Sequence, residues 1–149
     1  MAGVYFTAAT GEVAISTSLI TVLQVVAASN HAVHVHEWSV AFQGIDNTHA
    51  PIWVRLCRQT TAGTMSALTL RKDPDDTDET LQTTALHTAT AEPTLGDILW
   101  SGYVPPQQGF IWQPGPHDRP VKIGGGDRLA IAVVADNATS CAASMRCEE

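Results

Sequence analysis

Charge is what this sequence has least of. Asp, Glu, Lys and Arg make up only 15% of its 149 residues, against about a quarter in ordinary soluble domains, so much of the surface must be neutral. The shortage is uneven: 8 Lys and Arg stand against 15 Asp and Glu, for a formal net charge of -7. No basic cluster gathers the few cations, which excludes the surface that tracks a phosphate backbone, and no direct nucleic-acid partner is expected. Long apolar runs are missing as well, and no stretch approaches the roughly 20 apolar residues of a membrane span. The opening residues, MAGVYFTAATGEVAIS, have neither the basic start nor the apolar segment of an export signal. A soluble product of cytosolic synthesis, without a membrane partner, is the expectation.

Cysteine is scarce. Cys57, Cys141 and Cys147 leave at least one thiol unpaired, and their spacing fits neither a zinc finger nor a redox pair. They read as reduced or buried thiols. Cys141 and Cys147, if they share one extended strand, point the same way but lie too far apart for a direct disulfide. Helical periodicity is also lacking. Only Thr21 to Ala28 has a composition that a helix would accept, and its β-branched run followed by Ser29-Asn30 favours a strand.

What the chain does have is a succession of β-rich segments punctuated by Gly, Pro, Asn and Asp. Strands are predicted at 4–8, 19–27, 32–42, 52–58, 67–71, 80–88, 98–104, 110–112, 121–123, 129–135 and 140–146. That number suits an all-β fold of two packed antiparallel sheets, and 149 residues suffice for one well-filled core spanning the whole chain as a single domain. Simple alternation on 32–42 places Val33, Val35 and Glu37 on one face and His34, His36, Trp38, Val40 and Phe42 on the other. In 52–58, Ile52, Val54 and Leu56 form a buried face, while Trp53, Arg55 and Cys57 form a mixed face that suits a subunit contact. Segment 129–134 is apolar on both faces, as a central strand is.

Three segments break the pattern. Arg71 to Glu79 carries Pro74 and a dense acidic run, and reads as an exposed loop. Its carboxylates lack the spaced ligands and central glycine of an EF-hand. Gly124-Gly125-Gly126-Asp127 lacks the spacing of a phosphate loop and precedes a strand, which makes it a tight turn. Gly102 to Pro116 is rich in Pro and Gly but also carries Tyr103, Phe110 and Trp112, and reads as an ordered arm.

Chemistry-bearing motifs are few. His34-Val35-His36 puts two imidazoles at i and i+2 on one strand face, where they could share a metal, and His117 follows Pro114-Gly115-Pro116 much as a third cupin ligand would. A cupin-like metal-dependent enzyme needs a glutamate several residues beyond the pair, whereas Glu37 follows His36 directly, and the Pro-Gly-to-His spacing is one residue short. No Gly-x-Ser-x-Gly elbow is present. No catalytic residue, resident metal or cofactor is therefore expected. Four tryptophans, Trp38, Trp53, Trp100 and Trp112, exceed what a small core normally needs, and point to core or subunit contacts, with sugar stacking as the competing use.

The segments Ala2 to Phe6, Thr21 to Ala27, Glu37 to Gly44, Arg58 to Thr64 and Val121 to Leu129, taken together, resemble the small β-sandwich proteins encoded near the capsid genes of tailed bacteriophages. These are similar to jelly-roll decoration, or cement, proteins. The resemblance covers nearly the whole chain and implies a jelly-roll-like sandwich, most often a homotrimer, bound to the major capsid protein on the outer surface of the virion and performing no catalysis. It further implies that Glu37 and Trp38 lie on a strand near a subunit contact, that Arg58 begins the turn 59–64, and that Gly124 to Gly126 form a hairpin into 129–134. Contact arms are expected at 1–10 and 103–116, with interface residues Tyr5, Phe6, Trp38, Trp53, Tyr103, Phe110 and Trp112. A head-fibre or tail-appendage module that binds carbohydrate would use similar sequence features.

Overall fold

The computed structural model describes residues 3–43, 50–73 and 79–149, and contains strands but no helix among them. The strands are β1 (Tyr5–Ala9), β2 (Val13–Ile15), β3 (Ile20–Val26), β4 (Val33–Phe42), β5 (Ile52–Gln59), β6 (Thr64–Leu68), β7 (Arg71–Lys72), β8 (Thr84–Ala91), β9 (Leu95–Val104), β10 (Phe110–Trp112), β11 (Val121–Ile123), β12 (Arg128–Val134) and β13 (Thr139–Glu148). They form two antiparallel sheets. The first runs β10-β4-β13-β1-β7, with β11 beside β4 and β2 beside β13; the second runs β6-β8-β3-β12-β5-β9.

This order is that of a jelly roll. The chain's first strand pairs with its last, β1 with β13, and the path continues to β4 and β10; opposite them lies β3-β12-β5-β9. The segment between β5 and β9 is an excursion added to that plan. It runs down β6 at the edge of the second sheet, crosses to β7 beside β1 in the first, and returns as β8 beside β3. It closes one side of the sandwich, and the β9–β10 connection closes the other.

Apolar alternation explains the core. Phe6, Val35, Trp38, Val40 and Met145 from the first sheet meet Leu23, Val25, Leu56, Leu129 and Ile131 from the second. The central strand β12 is buried on both faces, as its sequence predicts, with Ala130 and Ala132 on its outer side. That outer side is covered by the tip of the excursion. Beyond His87, β8 leaves β3 and continues paired only with β6, after a positive φ of 55° at Thr88. Gln24 then donates from Nε2 to the Thr61 carbonyl and, at 2.6 Å, to Gln59 Oε1. Glu92 accepts from the backbone N–H and hydroxyl of Thr21. A small polar layer thus sits between ribbon and sheet.

Several expectations are corrected. The predicted strand 67–71 is two strands in different sheets, β6 and β7, so Arg71 and Lys72 pair with β1 instead of opening a loop. Residues 74–78 of the acidic run lie outside the described residues. The described part of the 1–10 segment, residues 3–10, is no free arm: β1 is held between β13 and β7, while residues 1 and 2 lie outside the described residues. Gly124 to Gly126 form a turn that carries the chain from β11 in one sheet to β12 in the other, not a hairpin. There Gly126, at φ 80°, donates to the carbonyls of Ala27 and Ala28.

Strict alternation on β4 also fails. Arg146 is opposite Glu37 and Cys147 is opposite Val35, so His36 is an extra residue. Such a bulge reverses the facing of everything beyond it. Val33 and Val35 point inward before it, and Trp38 and Val40 point inward after it; His36 and Glu37 both face out.

Candidate interaction surfaces

The outer face of the first sheet holds His34 and His36. His34 is opposite Glu148, and His36 Nε2 lies 2.9 Å from Glu148 Oε2. The bulge sets Glu37 beside His36, where its Oε2 accepts a 2.6 Å hydrogen bond from Gln113. Tyr5 lies close by, with its ring centroid 5.9 Å from that of His36, and Arg146 is 3.8 Å from Asp73. Tyr5, His36, Glu37, Asp73, Gln113 and Arg146 line a cleft of about 190 Å³. Its acids and bases mostly engage each other. His117 sits in the exposed turn between β10 and β11, and among the described residues no three His, Cys, Asp or Glu side chains are grouped as metal ligands.

The aromatic residues divide into two populations. Phe6 and Trp38, each 1% exposed, are core residues; the interface assigned to them gives way, because a side chain so covered presents no surface. Trp38 meets Trp100 edge-on at 5.3 Å and Phe110 at 5.1 Å, and Trp100 stacks on Phe110 at 4.5 Å. Phe110 and Trp112 pack against the core from β10. The segment 103–116 is therefore an ordered flank of the sandwich and not a detachable arm. Gly109 permits its turn: φ is 66°, and a Cβ there would stand 2.7 Å from the Val40 carbonyl oxygen.

A second population faces solvent. Tyr103 is 75% exposed and Ile111 67%; Ile111 lies between the inward Phe110 and Trp112, on the outer side of β10. On β9, Leu95, Ile98 and Tyr103 stand opposite Gln59, Cys57 and Trp53 of β5, whose side chains point away from the core. A ladder irregularity skips Leu99, and both Ile98 and Leu99 reach the surface. Trp53 donates from Nε1 to Ser101 Oγ at 2.7 Å and lies under the Arg55 guanidinium, 5.3 Å from its ring centroid. The mixed face of β5 is mostly covered by the chain itself, since Arg55 and Cys57 are buried.

All three cysteines are free and buried. Cys141 and Cys147 point inward from one strand, β13, and burial pushes both thiols up to about 12. Burial also raises Cys57, with Arg55 opposing it. They are inert packing groups.

Sequence reasoning missed Ile98, Leu99 and Ile111 as surface residues. The charge pattern did carry a signal for them, because residues 98–117 contain no Asp, Glu, Lys or Arg. No protein-family model matches the chain, and no curated protein sequence matches it.

Proposed function

We propose that this protein is a non-enzymatic virion component, a jelly-roll decoration or cement protein that binds the major capsid protein on the outer surface of a tailed-phage head, as a homotrimer. Ile111 carries the reading. An aliphatic side chain 67% exposed on a short edge strand, locked in place by Phe110 and Trp112 on either side, is a pre-organised anchor for another protein surface. The low overall charge and the mutual pairing of the polar groups on the first sheet's outer face support the same reading.

The mechanism is mechanical. Each protomer contributes one modest contact, and a ring-closed assembly presents three copies at fixed spacing. Tethered contacts that match the lattice raise the overall affinity by orders of magnitude, about 10²–10⁴. Joining neighbouring capsomers in this way resists shear and internal pressure.

Co-sedimentation with expanded shells of a tailed-phage major capsid protein tests the proposal. The wild type is expected to saturate the shells and Ile111→Lys to lose occupancy, with an unchanged circular dichroism spectrum. Removing the whole segment 103–116 is unsuitable, because Phe110 would leave the core with it. Failure of the wild type to bind shells would overturn the function; equal occupancy by the variant would overturn the role of Ile111.

A further inference from the structure

We infer that the exposed face of β9 is the contact between copies of this chain, which rests on the oligomeric reading above and assigns it a surface. β9 is the last strand of its sheet, paired with β5 on one side and with no strand on the other among the described residues. Native edge strands are guarded by being short, by charged side chains or Pro, by β-bulges, or by a cover. β9 is ten residues long, has neither Lys nor Pro, confines its one charged residue, Asp97, and its ladder irregularities to residues 95–100, and presents Leu95, Ile98, Leu99 and Tyr103, each more than 40% exposed. The other edges are more modest: β6 has five residues, and β7 and β10 have two and three.

Charge identifies the occupant. The chain carries -7, so two copies repel wherever their acidic surfaces approach. Residues 98–117 are free of Asp, Glu, Lys and Arg, so this is a side on which a like-charged copy can approach without that cost. Along residues 98–104 of β9 a nucleic acid or a strongly charged protein would find no charge to pair with. At the Leu95 end, Arg58, Asp97, Asp127 and Arg128 line a groove, so the apolar strip has a rim bearing both signs. An apolar centre with a polar rim is the anatomy of a protein interface. Tyr103 and Trp53, paired across the strands, supply the aromatic area at its other end.

Light scattering coupled to size-exclusion chromatography tests the assignment on the full chain. The wild type is expected at three times 15.9 kDa, and the double variant Ile98→Lys/Tyr103→Glu at the monomer mass, with an unchanged circular dichroism spectrum. A wild-type monomer, or a double variant that keeps the wild-type mass, overturns the inference. Should that variant unfold, Tyr103→Cys alkylated with a bulky maleimide replaces it. The native thiols are buried, so residue 103 alone is labelled; a labelled chain that falls to the monomer mass supports the contact, and one that keeps the wild-type mass overturns it. Shell binding by a wild-type monomer would remove this interface and leave the decoration role standing, whereas a β9 oligomer that ignores shells would do the reverse.

Discussion

Trp100 and Phe110 stack with ring centroids 4.5 Å apart, although one belongs to β9 of the second sheet and the other to β10 of the first. The pair bridges the two sheets at the side that the β9–β10 connection closes, and seats both rings on Trp38. The same few residues therefore fill the end of the core and fix the outward aim of Ile111 and Tyr103. Packing and presentation are coupled through this cluster.

Trp38→Ala is expected to be severely destabilising. The side chain is 1% exposed, and truncating a buried aromatic typically costs about 3–5 kcal/mol. Urea unfolding followed by circular dichroism measures it; a loss under about 1 kcal/mol, the scale of an ordinary surface change, would mean that Trp38 is not packed as described.

Gly109→Ala should also destabilise, by about 1–3 kcal/mol, since a non-glycine residue forced into the left-handed region carries strain of that order. Here φ is 66° and the new methyl group would meet the Val40 carbonyl. Thermal melting of the variant, with Gly11→Ala as the open-space control, reads the difference.

Thr21→Val probes the polar layer under the excursion. The Thr21 hydroxyl accepts from Gln59 Nε2 and donates to Glu92, so an isosteric methyl group strands the buried Gln59 amide. A loss of about 1–3 kcal/mol is expected. Proteolysis between β5 and β9 should accelerate in the same variant, because Glu92 no longer ties the ribbon to β3 through that hydroxyl.

The thiols give a pH prediction. Cys141 and Cys147 are raised to about 12 from an ordinary value of 9.0, so the folded state favours their neutral form. Their contribution to stability is complete below the unfolded value and is lost as pH climbs from about 9 towards 12. Chemical denaturation from pH 7 to 11 should show stability falling only in the upper part of that range. At pH 8, a thiol reagent should label none of the three cysteines in the folded protein and all three after unfolding.

Local signals made much of the architecture legible. Strands 110–112 and 121–123 are found where Gly and Pro bracket them, because these residues end a strand through their own backbone chemistry. β2 gave no such signal: three residues become a strand only because β13 offers Thr139 to Cys141 as partners. On β4, alternation identified the two histidines as same-face neighbours but assigned Trp38 to their side. The bulge at His36 arises from the pairing with Arg146 and Cys147, which no window on β4 alone contains.

The sequence by itself determined the all-β class, the two-sheet sandwich, the buried thiols and the charge-poor stretch from 98 to 117, because composition and period-two patterning act within a few residues. Only the tertiary structure decided that Phe6 and Trp38 are core, that 103–116 is a packed flank, and that Ile98, Leu99, Tyr103 and Ile111 form the outward surface. Exposure of an apolar side chain depends on what lies across the sheet from it, and those neighbours come from distant parts of the chain.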